Sequence, residues 1–124
     1  MFAFVSQYKN LREVLMDQKL AALGDAYVNL VYSLALSKRK GEPTGAKVDN
    51  RLLAEALKKA GLRSLLPPRI DRHKQADAAE ALIAYSWVRG LMTMEEGVSI
   101  LEQDEDAVEA FSSFLLTVMK KLDL

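Results

Sequence analysis

Apolar residues recur at intervals of three and four along most of the chain, and no stretch sustains an alternation of period two. That pattern gathers side chains onto single helix faces and offers no strand. The chain must therefore bury its apolar surface by packing helix on helix. The clearest case is 18–37, where Leu20, Leu23, Tyr27, Val31 and Leu34 form one stripe. Leu30 and Leu36 widen it, which predicts a central helix buried on most sides. Tyr27 fits the stripe where its hydroxyl finds a partner or reaches water.

Signals at element ends divide the rest. Asn10 with Glu13 resembles a capping box and opens a short helix to about residue 16. The polar run Lys38-Arg39-Lys40-Gly41-Glu42-Pro43-Thr44-Gly45 holds three helix breakers and reads as a loop. Asp49 or Asn50 caps a third helix, striped by Leu52, Leu53, Ala56, Leu57 and Ala60 and stopped by Gly61. Lys58 and Lys59 in its last turn suit the helix dipole. Pro67-Pro68 forces a break, and a fourth helix spans about 73–89, ended by Gly90. Thr93 and Glu96 make a capping box for a short fifth helix. The last covers about 106–122, with Val108, Phe111, Phe114, Leu115 and Val118 on one side. The expectation is an all-α fold of about six helices in one domain, 1–124.

Composition removes several chemistries. The chain has 124 residues and no cysteine, which excludes disulfide scaffolds, zinc ribbons and thiol nucleophiles. One histidine, His73, rules out a two- or three-histidine metal site within one chain. Seventeen Lys and Arg balance seventeen Asp and Glu, so bulk positive charge cannot hold nucleic acid, although a local basic patch can. The apolar start, 1–5, has no basic residue before it and is too short for a signal-peptide core. The most apolar stretch, 26–36, is broken by Asn29 and Ser33 and falls short of a membrane span. These features lead to the expectation of a soluble, cytoplasmic protein with no membrane partner.

Three acids stand against the apolar pattern. Asp25 follows Gly24 inside the second helix, and Asp77 and Glu80 are embedded among alanines in the fourth. A carboxylate on a buried face is costly unless paired. Asp77 and Glu80, three apart, share one face of their helix. If that face meets Asp25, three carboxylates converge and repel one another unless a cation joins them or some stay protonated. Oxygen ligands completed by waters suit Mg²⁺ or Mn²⁺. An Asp-x-x-Glu pair is also common on solvated helix faces. Gly24 counts for the site, because glycine inside a helix costs about 1 kcal/mol relative to alanine and marks close backbone approach.

These residues carry a resemblance. Leu23-Gly24-Asp25-Ala26, followed by Asn29, resembles the signature helix of the ribonuclease III catalytic domain. The run from Ala76 through Asp77 and Glu80 to Ile83 is similar to its second signature, an Asp-x-x-Glu-Ala helix. Asp49-Asn50-Arg51-Leu52-Leu53-Ala54-Glu55 and the residues up to Leu62 are similar to its middle helix. The resemblance covers about 16–90 and extends through the last helix. It implies an all-helical endonuclease fold, a homodimer, and Mg²⁺- or Mn²⁺-dependent hydrolysis of double-stranded RNA. Asp25, Asp77 and Glu80 match three of the family's metal-binding acids. The chain departs from the pattern at Ala21, where the family carries a further glutamate ligand, and at Gln18, one turn earlier, where it carries another. A further acid from the connecting segment falls on Glu42 or Asp49. With no double-stranded-RNA-binding domain before Leu124, the expectation is a stand-alone catalytic domain similar to mini-ribonuclease III proteins.

Other polar groups have two readings each. Arg72, His73 and Lys74 open the fourth helix and either hold a phosphate or form an ordinary solvated helix start. His73 by itself reads as a surface or capping residue. Lys38, Arg39 and Lys40 either contact RNA backbone or form a solvated loop. Tyr85, Trp87, Phe111 and Phe114 read as core or dimer-interface residues, and Met92 and Met94 as packing residues. Besides the nuclease, two functions fit: a non-catalytic dimer of the same fold associated with RNA or ribosomes, and an unrelated helical adaptor.

Overall fold

Each helix begins at a side chain suited to capping it. Asn10, Asp17, Asp49, Asp71, Thr93 and Asp106 each accept a hydrogen bond from a backbone N–H in the first turn that follows. Thr93 and Glu96 complete the reciprocal capping box. The computed structural model describes residues 2–5, 7–122 and 124; of the apolar start, Met1 lies outside them. Among the described residues there are six α-helices and no strand. They are α1 (Leu11–Leu15), α2 (Gln18–Lys40), α3 (Asn50–Lys59), α4 (Arg72–Val88), α5 (Met94–Glu102) and α6 (Ala107–Lys121), with one 3₁₀ turn, Arg63–Leu65, between α3 and α4. The fold is all-α, as the periodicity predicts.

The central helix is α4, not α2. α4 is buried on nearly every side, and its alanines Ala76, Ala78, Ala79, Ala81 and Ala84 are fully covered. Small side chains let α1, α2, α3 and α6 all pack against it. α2 buries a narrower face, made by Leu20, Ala21, Gly24, Tyr27, Val28, Val31 and Ala35. Leu23 is half-buried, and Leu30 and Leu34 remain 49% and 37% exposed. The true core face shares Leu20, Tyr27 and Val31 with the leucine stripe but turns from its other leucines toward Ala21, Gly24, Val28 and Ala35, and at Gly24 the missing side chain lets α2 meet α4. Tyr27 does lie on the core face, its ring stacked on Trp87 with centroids 4.7 Å apart.

α2 also runs three residues beyond the expected end, to Lys40, before Gly41 turns it at φ 75°. Its tail is anchored. Lys38 pairs with Glu102 at 3.0 Å, and Arg39 donates to the carbonyl oxygens of Glu102 and Asp104. At 23 residues, α2 is long and apolar enough to cross a membrane by length and composition alone, which the shorter 26–36 stretch did not suggest. A helix packed along the core of a helical domain has the same properties, and α2 packs against α4 and α5.

The polar residues that interrupt α2 have a structural use. Asn29, Ser33 and Ser37 stand four apart, one above the other on one face. The Ser37 hydroxyl accepts from the Thr44 N–H and donates to the Ser33 carbonyl or to that of Thr44. Ser33 makes the same exchange with Ala46, and the Asn29 carbonyl oxygen accepts from the Val48 N–H at 2.7 Å. Residues 44–48 are thereby laid along α2, and the chain reaches Asp49 with its backbone groups satisfied.

Candidate functional site

The backbones of α2 and α4 meet beside the acids. A Cβ added to Gly24 would lie 2.6 Å from the Glu80 carbonyl carbon and 3.0 Å from the Glu80 Cβ. Only a residue without a side chain lets the two backbones meet there. Asp25 is the next residue, so the contact sets its carboxylate beside Glu80. Asp25, Asp77 and Glu80 line one open cleft of about 630 Å³, together with Ala21, Asp49 and Asn50. Lys47 reaches the same cleft from the clamped 44–48 segment.

The three acids differ in exposure and in charge. Asp25 is exposed and accepts weakly from the Asn29 amide at 3.5 Å. Asp77 is half-buried, and burial, reinforced by Asp71 and Asp25, raises its pKa against the pull of His73 and Lys74. Glu80 is 4% exposed. Burial pushes its carboxyl up to about 8, helped by a hydrogen bond to Asp25 and by the charges of Asp25 and Asp77, while Lys47 opposes the shift. The shift favours the protonated form of Glu80, which can donate to Asp25. Crowding and burial both favour the neutral form of a carboxylate.

The donor set suits a hard cation, because every candidate ligand is a carboxylate or amide oxygen in a cleft open to water. As the side chains stand, no three acidic or histidine groups among the described residues are gathered closely enough to hold an ion. The fit therefore rests on the donor chemistry of the cleft.

The remaining expected site residues separate. Asp49 lines the cleft and caps α3, its carboxylate accepting from the Arg51 N–H at 2.6 Å. Glu42 lies elsewhere, beside Leu34, Met94 and Val98. Arg72, His73 and Lys74 occupy the exposed first turn of α4, where Asp71 already accepts from the Lys74 N–H. His73 Nδ1 meets the Asn50 side-chain amide at 2.7 Å, tying the starts of α3 and α4 together. Lys38 and Arg39 are engaged with Glu102 and Asp104, about 20 Å along α2 from Asp25. Lys40 is exposed at the same far end. Lys47 is the cleft residue that sequence reasoning missed. No periodicity marks it, and only the Asn29–Ser33–Ser37 clamp brings it to Glu80.

A family model described as Ribonuclease III matches residues 18–123, a range that includes all three acids and the clamp. No curated protein matches the chain.

Proposed function

The chain belongs to the ribonuclease III family, and on that premise we propose that it is a metal-dependent endoribonuclease acting on double-stranded RNA as a homodimer. The observation that carries the reading is the acid cleft itself. A buried glutamate sharing a cleft with two other carboxylates is a costly arrangement for a merely structural surface, and a cation would relieve it. Asp25, Asp77 and Glu80 would hold Mg²⁺ or Mn²⁺, with Asp49 and Asn50 at the rim. When bound, such an ion polarises a phosphoryl oxygen, activates a water and stabilises the leaving oxygen.

The residues divide the remaining work. Glu80 would bind a cation as its carboxylate, releasing its proton to the water of the open cleft. Asp25 and Asp77, more solvated than Glu80, would attract a cation to the cleft. Lys47 partly offsets the negative potential and sits where a phosphate would approach. Gly24 keeps Asp25 and Glu80 in register.

A homodimer has its own support. Ala22, Ala26, Leu30 and Leu34 repeat every four residues on the exposed side of α2, beside Asp25. An exposed apolar line of this kind suits an isologous contact of two copies, which would bring two clefts to one duplex. The second reading is the non-catalytic dimer, and Ala21 is the observation that favours it. That residue lines the cleft where the family pattern has a carboxylate.

Cleavage of a labelled RNA duplex over a range of Mg²⁺ and Mn²⁺ concentrations tests the proposal. Wild type should cut, and Asp77→Asn should lose most of the activity while folding and associating normally. Intact duplex under all conditions with a dimeric wild type would favour the non-catalytic reading.

A further inference from the structure

The charges of this neutral chain are unevenly spread. Residues 47–74 carry eight Lys and Arg against three Asp and Glu, whereas 95–109 carry seven acids and no base. Three cations pair with the acidic side. Lys38 pairs with Glu102, Lys59 with Glu109, and Lys121 with Glu96. Among the described residues Arg12, Arg51, Lys58, Arg63 and Arg72 form no ion pair with a carboxylate.

These five groups occupy one surface. Arg51, Lys58 and Arg72 line a hollow of about 370 Å³ between α3 and α4. Lys58 also belongs to a second hollow, of about 750 Å³, with Arg12 and Arg63. The first adjoins the acid cleft, since Arg51 follows the cleft residue Asn50 and Arg72 precedes His73, the hydrogen-bond partner of Asn50. Two of the guanidinium groups are held in place without being neutralised. Arg12 Nε donates to the Leu65 carbonyl at 3.0 Å, and Arg63 donates to the carbonyls of Pro67 and Pro68 at 3.0 and 2.9 Å. A carbonyl oxygen orients a guanidinium but leaves its charge uncompensated, and an oriented cation loses little freedom on meeting a phosphate.

We propose that this surface, Arg51, Lys58 and Arg72 continued by Arg12 and Arg63, seats the phosphate backbone of the RNA duplex where it runs out of the acid cleft along α3. The proposal rests on the endoribonuclease reading and adds the path of the substrate. Arg51 and Lys58 are seven residues apart on one helix face, about 10 Å along its axis, so they meet different phosphates. Contacts of this kind fix position and affinity and carry no sequence information. Glu55 lines the same hollow and is the one acid among its lining residues.

The experiment measures binding of a fluorescent RNA duplex to the intact protein in EDTA, where no cleavage intervenes, across a series of KCl concentrations. The triple variant Arg51→Ala/Lys58→Ala/Arg72→Ala should bind at least about tenfold more weakly at moderate salt. Its slope of log affinity against log salt should be shallower by about 2.7, since each of three phosphates no longer neutralised takes about 0.9 from the slope. Glu55→Gln should shift affinity the other way, by a few-fold. A folded triple variant with the wild-type slope overturns the surface, and if wild type still cuts duplex in Mg²⁺ the parent reading survives that result. A wild type that neither binds nor cuts duplex RNA removes both.

Discussion

Gly24→Ala should damage the site more than the fold. The added methyl would sit 2.6 Å from the Glu80 carbonyl carbon, against the 3.4 Å or more of an ordinary contact. Backbone cannot rotate away as a flexible side chain can, so α2 must retreat from α4 by roughly 1 Å. Overpacking of this kind costs about 1–3 kcal/mol and sometimes more. Alanine returns about 1 kcal/mol through its higher helix propensity. A clash with backbone belongs at the upper end, which leaves a net loss of about 2 kcal/mol. For a chain of this size that is a fall of roughly 8 °C in Tm. The effect on chemistry is larger, because Asp25 moves with Gly24 and a misplacement of about 1 Å can cost 10²-fold in rate. Thermal unfolding and duplex cleavage should be measured side by side, with Gly45→Ala as the control, since nothing lies within 4 Å of a Cβ there. A Gly24→Ala protein as stable and as active as wild type would refute the close-approach argument.

Three other outcomes follow from the same geometry. Ala21→Glu, which adds a carboxylate to the cleft, should tighten Mn²⁺ binding measured by calorimetry and leave cleavage equal or faster; unchanged affinity would mean that Ala21 does not mark a missing ligand. Leu30→Lys, on the exposed side of α2, should convert a dimer to monomer in light scattering with a change in monomer stability within about 0.5 kcal/mol, and a persistent dimer would exclude that face. Asp17 is raised by burial but lowered more by the Tyr8 hydroxyl at 2.6 Å and by the N–H groups of Leu20 and Lys19, so its folded pKa lies below the ordinary aspartate value of 3.8. A depressed carboxylate contributes stability that is present above its unfolded pKa and lost as pH falls through the folded one. Denaturant titrations of Asp17→Asn should therefore show a flatter decline below about pH 4 than wild type, and parallel acid limbs would contradict the assignment.

Local chemistry determined much of this protein. Helix number and type followed from three-and-four periodicity, because one helix face must be apolar whatever it packs against. The helix starts were legible too, since an orphan N–H needs an acceptor within a few residues and Thr93 with Glu96 supplies one by spacing alone. The interior acids and Gly24 were conspicuous because each is costly where it stands, a carboxylate on a buried face and a glycine inside a helix, so each needed a partner elsewhere. What that partner was could not be read locally. The chain gives no sign that Gly24 faces the Glu80 carbonyl, that Asp49 and Lys47 join the cleft while Glu42 does not, or that α4 rather than α2 lies at the centre. Asn29 and Ser33 read as interruptions of an apolar helix and prove to be the clamp that delivers Lys47. Lys38 and Arg39 read as loop cations and are held by the α5–α6 turn. Each of these depends on contacts between residues far apart in sequence, and such contacts are decided by which side chains are small enough for two helices to approach, a property of pairs of faces rather than of either face alone.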